Sequence, residues 1–598
     1  MVRDEPLHVL VIGECVATWL GDGAASIGWT HDFLLTNNYA VLPEAPPRPV
    51  ADYGFQLIQI PLRSALGEWE YLTLPFDDVH AWQQMLEDAC SRLSQIFEGA
   101  MRYCIESSLL TFVGGFLVPQ QNPMGRMLVR DDPRNLVFVV ESLNRHLVTL
   151  VASHQNAYYV DFDQIASGLG KQFIQDDSIT ASSHGSFLSD WEFGRDRDRL
   201  EPLVPLRQHV DIRADEFRDA VWMELRAMHR TVRGLDVVKL VVVDLDDTLW
   251  RGIVAEEDDI SDDTIEGWPM GLIEALQFLR KRGVLLAIVS KNDESRITGL
   301  WDRIMGGRLR LDDFVVRKIN WRSKADNLQE ILHEVNLLPT SVVFVDDNPR
   351  ERAEIRAAFP DVRILGADVY KLKRIMLWAP ETQVPFVSSE SSRRTEMVQG
   401  QIAREQLRKR VSREEFLNDL GVEAHVFDIR QDQSSKTARA IELLNKTNQF
   451  NTTGRRWSAE DLRALESREG SVVGFSVRDK FTDYGMVGVI VLGRGATGNC
   501  IEQVVMSCRV FGLDVELAVL QEVLRRTAHR SGDHRWNGII KKLAANQPSW
   551  DVFQRLGFTQ VNDEVWSLNG ERDQFDRVNV SVRWEQPVGP TVSLGAIS

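Results

Sequence analysis

In the stretch Val238-Lys239-Leu240-Val241-Val242-Val243-Asp244-Leu245-Asp246-Asp247-Thr248, an aliphatic run ends abruptly in acid. A strand buried on both faces has no polar alternation, so the run Val238–Val243 reads as a central strand of a parallel sheet. Its carboxylates stand at the carboxyl end, where open α/β sheets place their ligands. Two carboxylates two residues apart project into one crevice there. Asp244 is placed to attack phosphorus and form an aspartyl-phosphate. Asp246 is placed to protonate the leaving oxygen and later to deprotonate a water.

The flanking sequence completes the pattern. Apolar residues Leu272, Ile273, Leu276 and Leu279 mark a helix that closes at Gly283. Strands follow at Val284–Val289 and Ser341–Val345, again with polar residues at their carboxyl ends. Ser290 is placed to hydrogen-bond a phosphoryl oxygen, and Lys324 supplies positive charge to the phosphoryl group and the nucleophile. Asp346 and Asp347, with Asp244 and Asp246, make an oxygen-only ligand set suited to Mg²⁺. Only short segments separate the first motif from Ser290 and Lys324 from Asp346. No cap domain fits at either place, so the site is expected to be open, or covered by another part of the chain.

These residues resemble the four motifs of the haloacid dehalogenase (HAD) superfamily, read here at Asp244-Leu245-Asp246, Ser290, Lys324 and Asp346-Asp347. The runs Asp244-Leu245-Asp246-Asp247-Thr248-Leu249-Trp250, Ser290-Lys291-Asn292-Asp293, Ile319-Asn320-Trp321 and Phe344-Val345-Asp346-Asp347-Asn348-Pro349 are more specific. They look like the FkbH-like group. Later segments, Leu444-Asn445-Lys446-Thr447-Asn448-Gln449-Phe450-Asn451 and Ser507-Cys508-Arg509-Val510, are similar to the same group's carboxyl-terminal part. Pro119-Gln120-Gln121-Asn122-Pro123 and Val160-Asp161 resemble the SGNH-hydrolase-like domain of its longer members.

The resemblance implies a role in polyketide biosynthesis. It implies that 1,3-bisphosphoglycerate, or another small acyl phosphate, is dephosphorylated and its glyceryl unit loaded as a thioester onto the phosphopantetheine arm of an acyl carrier protein. A stand-alone phosphatase and a non-catalytic carrier-protein adaptor are the alternatives. Cys508 is the candidate acyl-accepting thiol: it ends an apolar strand before a turn and a helix, whose N-terminus would favour a thiolate. The residues alone favour a buried structural cysteine; the resemblance favours the reactive thiol.

Several positions depart from the family pattern. Arg251 stands where glycine is usual, which would bring a cation to the phosphoryl site. Asp247 stands in place of asparagine, Tyr484 likewise, and the sequence near Asn546-Gln547-Pro548 is altered. Arg509-Val510-Phe511-Gly512-Leu513-Asp514 approaches the pyrophosphate loop of GNAT acyltransferases. Its Asp514 would repel that anion and is read as a helix N-terminal residue. The expectation is a GNAT-like fold that does not use free acetyl-CoA but leaves entry for a pantetheine arm. Asn445, Asn448, Gln449 and Asn451 either line the acyl pocket or cap a helix. Cys15 holds the place of the SGNH nucleophile with His184 as a conceivable base; a docking role is favoured for that domain.

The expected organisation is α/β throughout, in three domains. Residues 1–235 form an SGNH-hydrolase-like domain and 236–380 a capless HAD-like domain with a Rossmann-like parallel sheet. Residues 381–415 form a helical connector, 416–585 a GNAT-like α+β domain and 586–598 a flexible tail. At 598 residues the chain is too long for one core. A formal net charge of -18 argues against nucleic-acid binding. Five scattered cysteines form no metal or disulfide pattern, and no membrane span or signal segment is apparent, which fits the cytoplasm.

Overall fold

The computed structural model describes residues 6–36, 42–67, 69–176, 187–189, 199–201, 203–253, 262–387, 393–408, 413–429, 434–495, 498–543, 545–569 and 578–585. The chain is a multi-domain α/β protein that forms two compact units, Met1–His229 and Arg230–Ser598. No helix among the described residues is long and apolar enough to cross a membrane.

The first unit is built on five parallel strands: β1 (His8–Gly13), β2 (Thr30–Leu35), β3 (Phe55–Gln59), β4 (Thr111–Gly114) and β5 (Ala157–Val160). Their order is β2-β1-β3-β4-β5, a doubly wound arrangement. Helices Val79–Ala100 and Leu136–Ala152 cover one face, burying Trp82, Leu93, Phe97 and Leu143 against Leu10, Ile12, Ile58 and Val113. The central strand β3 is not evident from hydrophobicity because Gln56 interrupts its apolar run. Gln56 is fully buried and donates to Thr111 Oγ1 at 2.8 Å, which satisfies one end of its amide inside the sheet. His184, the conceivable base for Cys15, lies outside the described residues.

The second unit carries two sheets. The first has five parallel strands: β6 (Leu240–Val243), β7 (Leu285–Ser290), β8 (Val316–Ile319), β9 (Val342–Val345) and β10 (Arg363–Leu365). Their order, β10-β9-β6-β7-β8, reverses direction between β6 and β9. That reversal leaves a crevice at the carboxyl ends of these two strands, and parallel α/β sheets bind ligands there. Residues 324–345 hold only a helix (Lys324–Val335), one 3₁₀ turn and β9, so no cap domain is inserted between them. The edge strand β8 escapes the sequence pattern because Arg317 and Lys318 break it; Lys318 pairs with Glu330 at 3.0 Å and Glu334 at 2.7 Å.

The other sheet is mixed. It comprises β11 (Glu423–Ile429), β12 (Phe450–Asn451), β13 (Ser471–Arg478), β14 (Asp483–Gly495), β15 (Gly498–Met506), β16 (Trp536–Ile539), β17 (Thr559–Gln560), β18 (Val565–Leu568) and β19 (Ser581–Trp584). The path runs β17-β18-β16-β15-β14-β13-β11-β19, with β12 on β15. The helix Val515–Ser531 buries Val519, Leu520, Val523 and Leu524 in its core. Residues 586–598 lie outside the described residues.

A connecting helix, Arg394–Arg408, joins the two sheets. Gly400 lies so close to Thr482 that a β-carbon there would stand 1.9 Å from its hydroxyl oxygen. Four residues on, buried Arg404 donates to the Tyr484 hydroxyl at 3.0 Å and to the Arg509 carbonyl. The Tyr484 hydroxyl donates in turn to Asp479 at 3.1 Å. Burial pushes the Tyr484 phenol well above its ordinary pKa, so it remains a neutral donor. The tyrosine that departs from the family pattern therefore locks the connecting helix to the mixed sheet.

Candidate active site

Asp244 follows β6 directly and Asp346 follows β9, so the pairing of these strands brings the two carboxylates side by side. Register is held by Asp244 N–H donating to Val345 O at 2.9 Å and Asp346 N–H to Leu365 O at 3.2 Å. Behind them Gly366, at φ +114°, presses on the Asp346 backbone; a β-carbon would lie 2.0 Å from the Asp346 carbonyl oxygen. Only glycine fits that approach.

Lys324, the first residue of its helix, reaches between the carboxylates. Its Nζ lies 2.8 Å from Asp244 Oδ2 and 2.6 Å from Asp346 Oδ2. All three side chains are nearly sealed, at 4% exposure for Lys324, 6% for Asp244 and 0% for Asp346. Burial pushes the Asp244 carboxyl up to about 6 against the pull of Lys324, with Asp346 adding to the rise. Burial also opposes the Lys324 charge, but the two carboxylates outweigh it and raise its pKa. Asp347 is raised too, by burial and then by Asp346.

Asp244, Asp346 and Asp347 each offer an oxygen, all within 4.8 Å of one another. One lysine cannot neutralise three clustered carboxylates. An all-oxygen anionic set of this kind matches a hard divalent cation. Thr248 fixes the third ligand: its hydroxyl donates to Asp347 Oδ1 at 3.2 Å and accepts from the Asp347 N–H at 3.0 Å.

Asp246, expected as a fourth metal ligand, does not join this group. Its Oδ1 accepts from the Trp250 indole at 2.9 Å and its Oδ2 from Asn292 Nδ2 at 2.8 Å. Two donors orient the carboxylate while leaving it chemically available, which suits the acid/base role better than coordination. Asn292 also donates to Ser290 Oγ at 3.2 Å, so the residues ending β7 are tied to the acid/base. Asn292 and Trp250 lie inside the quoted motifs, but nothing in their spacing discloses what they hold.

Two departures take different roles from those expected. The Arg251 guanidinium donates to the Asp263 and Glu266 carbonyls and lies over the Trp268 ring at 5.7 Å. It braces the loop before the helix Trp268–Lys281. Asp247, in a left-handed conformation at φ 49°, accepts from Gly252 N–H at 2.8 Å and shapes the turn after the motif.

Cys508 is exposed, which removes the alternative of a buried structural cysteine. The helix N-terminus invoked for it is not there: Cys508 opens a single 3₁₀ turn (Cys508–Val510), and the long helix begins only at Val515. Nor does the fold bring it to Asp244. Its thiol lies within electrostatic reach of Lys239 and Arg394. Lys239 precedes β6, and Arg394 donates to the carbonyl of Gly283, just before β7, at 3.0 Å. Both mark the amino end of the parallel sheet. Lys239 precedes Asp244 by five residues, about 16 Å along an extended strand.

The turn after Cys508 is held by an ion pair. Asp514 adopts a left-handed conformation, makes no capping hydrogen bond and pairs with Arg555 at 2.7 Å. Parallel pairing of β15 with β16 ends at Ile501–Gly538, and β12 takes the next place on β15. Thr452 then accepts from Lys541 N–H at 2.7 Å and bonds Val504. Among the described residues, β12 and Thr452 thus occupy the place beside β15 beyond Ile501. Asn445 and Asn451 hold backbone groups of Trp457, Thr447, Thr453 and Gly454, and Asn448 accepts from Arg456. The asparagine cluster is loop scaffolding. In the first unit, Glu14 at the end of β1 is buried and ion-paired with Arg63; the Cys15 side chain lies outside the described residues.

No family model matches the chain, and no curated protein matches it. Among solved structures it is similar to the N-terminal part of BF1531 from Bacteroides fragilis, containing a phosphatase domain complexed with Mg. That likeness has 17% identity over 62% of this chain and 93% of that one, with a TM-score of 0.41. It is also similar to 3-deoxy-D-manno-octulosonate 8-phosphate phosphatase from Moraxella catarrhalis, in complex with magnesium, phosphate and KDO. There the identity is 14% over 25% of this chain and 89% of that one, at a TM-score of 0.17. A third likeness is to the GNAT domain of S. lividans PAT, with 19% identity over 24% of this chain and 86% of that one, at a TM-score of 0.19. At these scores the chemistry has to be read from this chain's own residues.

Proposed function

We propose that the chain is a Mg²⁺-dependent HAD-type phosphoryl-transfer enzyme of the FkbH-like kind, which loads a glyceryl unit from 1,3-bisphosphoglycerate, or a similar small acyl phosphate, onto an acyl carrier protein. The observation that carries the phosphoryl chemistry is Lys324 clamped between Asp244 and Asp346 at the strand-order reversal. Asp244, Asp346 and Asp347 would hold the cation, which supplies positive charge to the phosphoryl oxygens. Asp244 attacks phosphorus, and the ester oxygen leaves with a proton from Asp246. Asp246 then takes a proton from water, whose oxygen attacks the aspartyl-phosphate and releases phosphate. Lys324 holds the nucleophile in place, and Ser290, which ends β7 beside β6, would donate to a phosphoryl oxygen.

Acyl capture is assigned to Cys508, supported by its exposure among cations. With Cys508 read beside Lys239 and Arg394 at the amino end of the parallel sheet, and Asp244 at the carboxyl end of β6, this reading makes the two steps separate events. In this reading the thiol displaces the acyl phosphate first, and the remaining phosphate ester reaches Asp244 on the carrier's arm. The chain, Mg²⁺, 1,3-bisphosphoglycerate and holo carrier protein are incubated together and the carrier is weighed. A glyceryl mass shift supports the proposal. Phosphate release without loading indicates a stand-alone phosphatase, and neither product indicates an adaptor. Cys508→Ala should abolish the acyl-enzyme adduct in intact-protein mass spectra while phosphate release from a phosphomonoester stays measurable; an unchanged adduct removes Cys508 from the mechanism.

A further inference from the structure

The surroundings of Cys508 are strongly cationic in a chain whose formal net charge is -18. Lys239 comes from the amino end of β6, Arg394 from the start of the connecting helix, and Arg509 from the residue after the thiol. Arg439 and Lys446 approach from the helix Ser434–Lys446. One carboxylate, Glu442, faces them, and it is already shared between Arg439 at 2.6 Å and Lys446 at 3.2 Å.

Among the described residues, no carboxylate stands within ion-pair distance of Lys239, Arg394 or Arg509. Arg394 has the Gly283 carbonyl, and Arg509 has the thioether of Met397 at 2.8 Å. A thioether is a weak acceptor for a guanidinium. The Arg439 Nε is buried without a hydrogen-bond partner. Like charges gathered this closely cost free energy unless an anion joins them.

The energetics agree with the geometry. Burial holds Lys239 below its ordinary pKa, with Arg394 and Lys446 adding to the effect. Arg509 is pushed down to about 10 by burial, then by Arg394 and Arg439. Lys239 is nonetheless exposed, so solvent reaches a group that protein crowds from several sides. Solvent thus reaches the ammonium of Lys239 as it reaches the exposed Cys508 thiol.

We propose that Lys239, Arg394 and Arg509 form a phosphate-recognition subsite that holds a phosphate-bearing acyl donor or acceptor beside the Cys508 thiol. Two sources share this chemistry: a small acyl phosphate and a 4′-phosphopantetheine arm. With the first, a bond forms between Cys508 sulfur and the acyl carbon, the carbon–oxygen bond to phosphate breaks, and phosphate departs with that electron pair. The thiol proton passes to solvent. With the second, the arm's sulfur attacks the same carbon and Cys508 sulfur leaves, regaining a proton from solvent. Guanidinium and ammonium groups bind phosphate through charge-assisted hydrogen bonds. The subsite deepens the acyl-capture reading of Cys508 and is independent of the chemistry at Asp244.

The test compares alkylation of the full chain by anionic iodoacetate and neutral iodoacetamide, followed on the Cys508 peptide by mass spectrometry. The iodoacetate-to-iodoacetamide rate ratio should be about tenfold higher in the wild type than in Lys239→Gln/Arg394→Gln. Lys239→Arg should retain the wild-type ratio, which separates charge from fold damage. Inorganic phosphate should slow iodoacetate labelling of the wild type, a measurement that needs no variant. Stronger protection by 4′-phosphopantetheine than by acetyl phosphate identifies the arm as the ligand, and the reverse identifies the small acyl phosphate. Equal ratios in the wild type and the double variant, or no protection by any of the three, would overturn the subsite. Protection without an acyl adduct from an acyl phosphate supports the subsite and overturns acyl capture instead.

Discussion

Asp244 and Cys508 belong to the same compact unit, yet their surroundings are built from opposite materials. Around Asp244 the groups are acidic, sealed and fixed by neighbouring strands of one sheet. Around Cys508 they are basic, partly exposed and drawn from four segments: the start of β6, the connecting helix, the turn that holds the thiol and the helix Ser434–Lys446. A buried carboxylate cluster is stabilised by a cation, and a basic cluster facing a single shared carboxylate is stabilised by an anion. The contrast implies that the acidic site carries out phosphoryl chemistry and the basic site recognises a phosphate that it does not hydrolyse.

The comparison breaks most sharply at the nucleophile. Asp244→Asn should lower phosphate release by about three orders of magnitude or more, because the amide cannot form an aspartyl-phosphate. It should leave the iodoacetate-to-iodoacetamide ratio at Cys508 unchanged; a change in that ratio would show that the two sites are coupled. Lys324→Met comes next. It leaves Asp244 and Asp346 buried without their cation, a loss of about 3–5 kcal/mol of stability. Thermal melting should register that loss and show a larger stabilisation by Mg²⁺ than in the wild type. Equal stabilisation would remove the three aspartates as the cation's ligands.

Asn292→Ala releases one of the donors that orient Asp246. The expected outcome is a fall of about 10- to 100-fold in kcat for phosphate release with KM little changed. A change in KM alone would place Asn292 in substrate binding instead. The smallest effect is expected at the junction. Tyr484→Phe leaves Asp479 and Arg404 without their shared hydroxyl and should cost about 1–3 kcal/mol in denaturant unfolding. Phosphate release should stay within about twofold of the wild type, since the residue stands on the mixed-sheet side.

Much of the phosphoryl site was legible because its residues end aliphatic strands, and strand ends in parallel sheets converge by topology. Asp244, Ser290, Lys324, Asp346 and Asp347 could be picked out from their place after or between such runs. Which carboxylates group as a cation's ligands was not legible, since Asp246 was expected among them and stands apart. Asp246 differs from Asp347 only in what donates to it, and Trp250, Asn292 and Thr248 reach their carboxylates through side-chain geometry. Strands β3 and β8 were hidden for a related reason: Gln56 and Lys318 find partners within the fold that hydropathy alone cannot show.

The sequence by itself determined a parallel α/β layer with an acidic strand end, since aliphatic periodicity and terminal carboxylates are local properties. It also singled out Cys508 as the thiol next to a turn. Only the tertiary structure decided that this thiol is exposed, and that Lys239, just before β6, lies within its electrostatic reach. Strand order and helix docking set those distances, and both arise from packing between segments far apart in the chain.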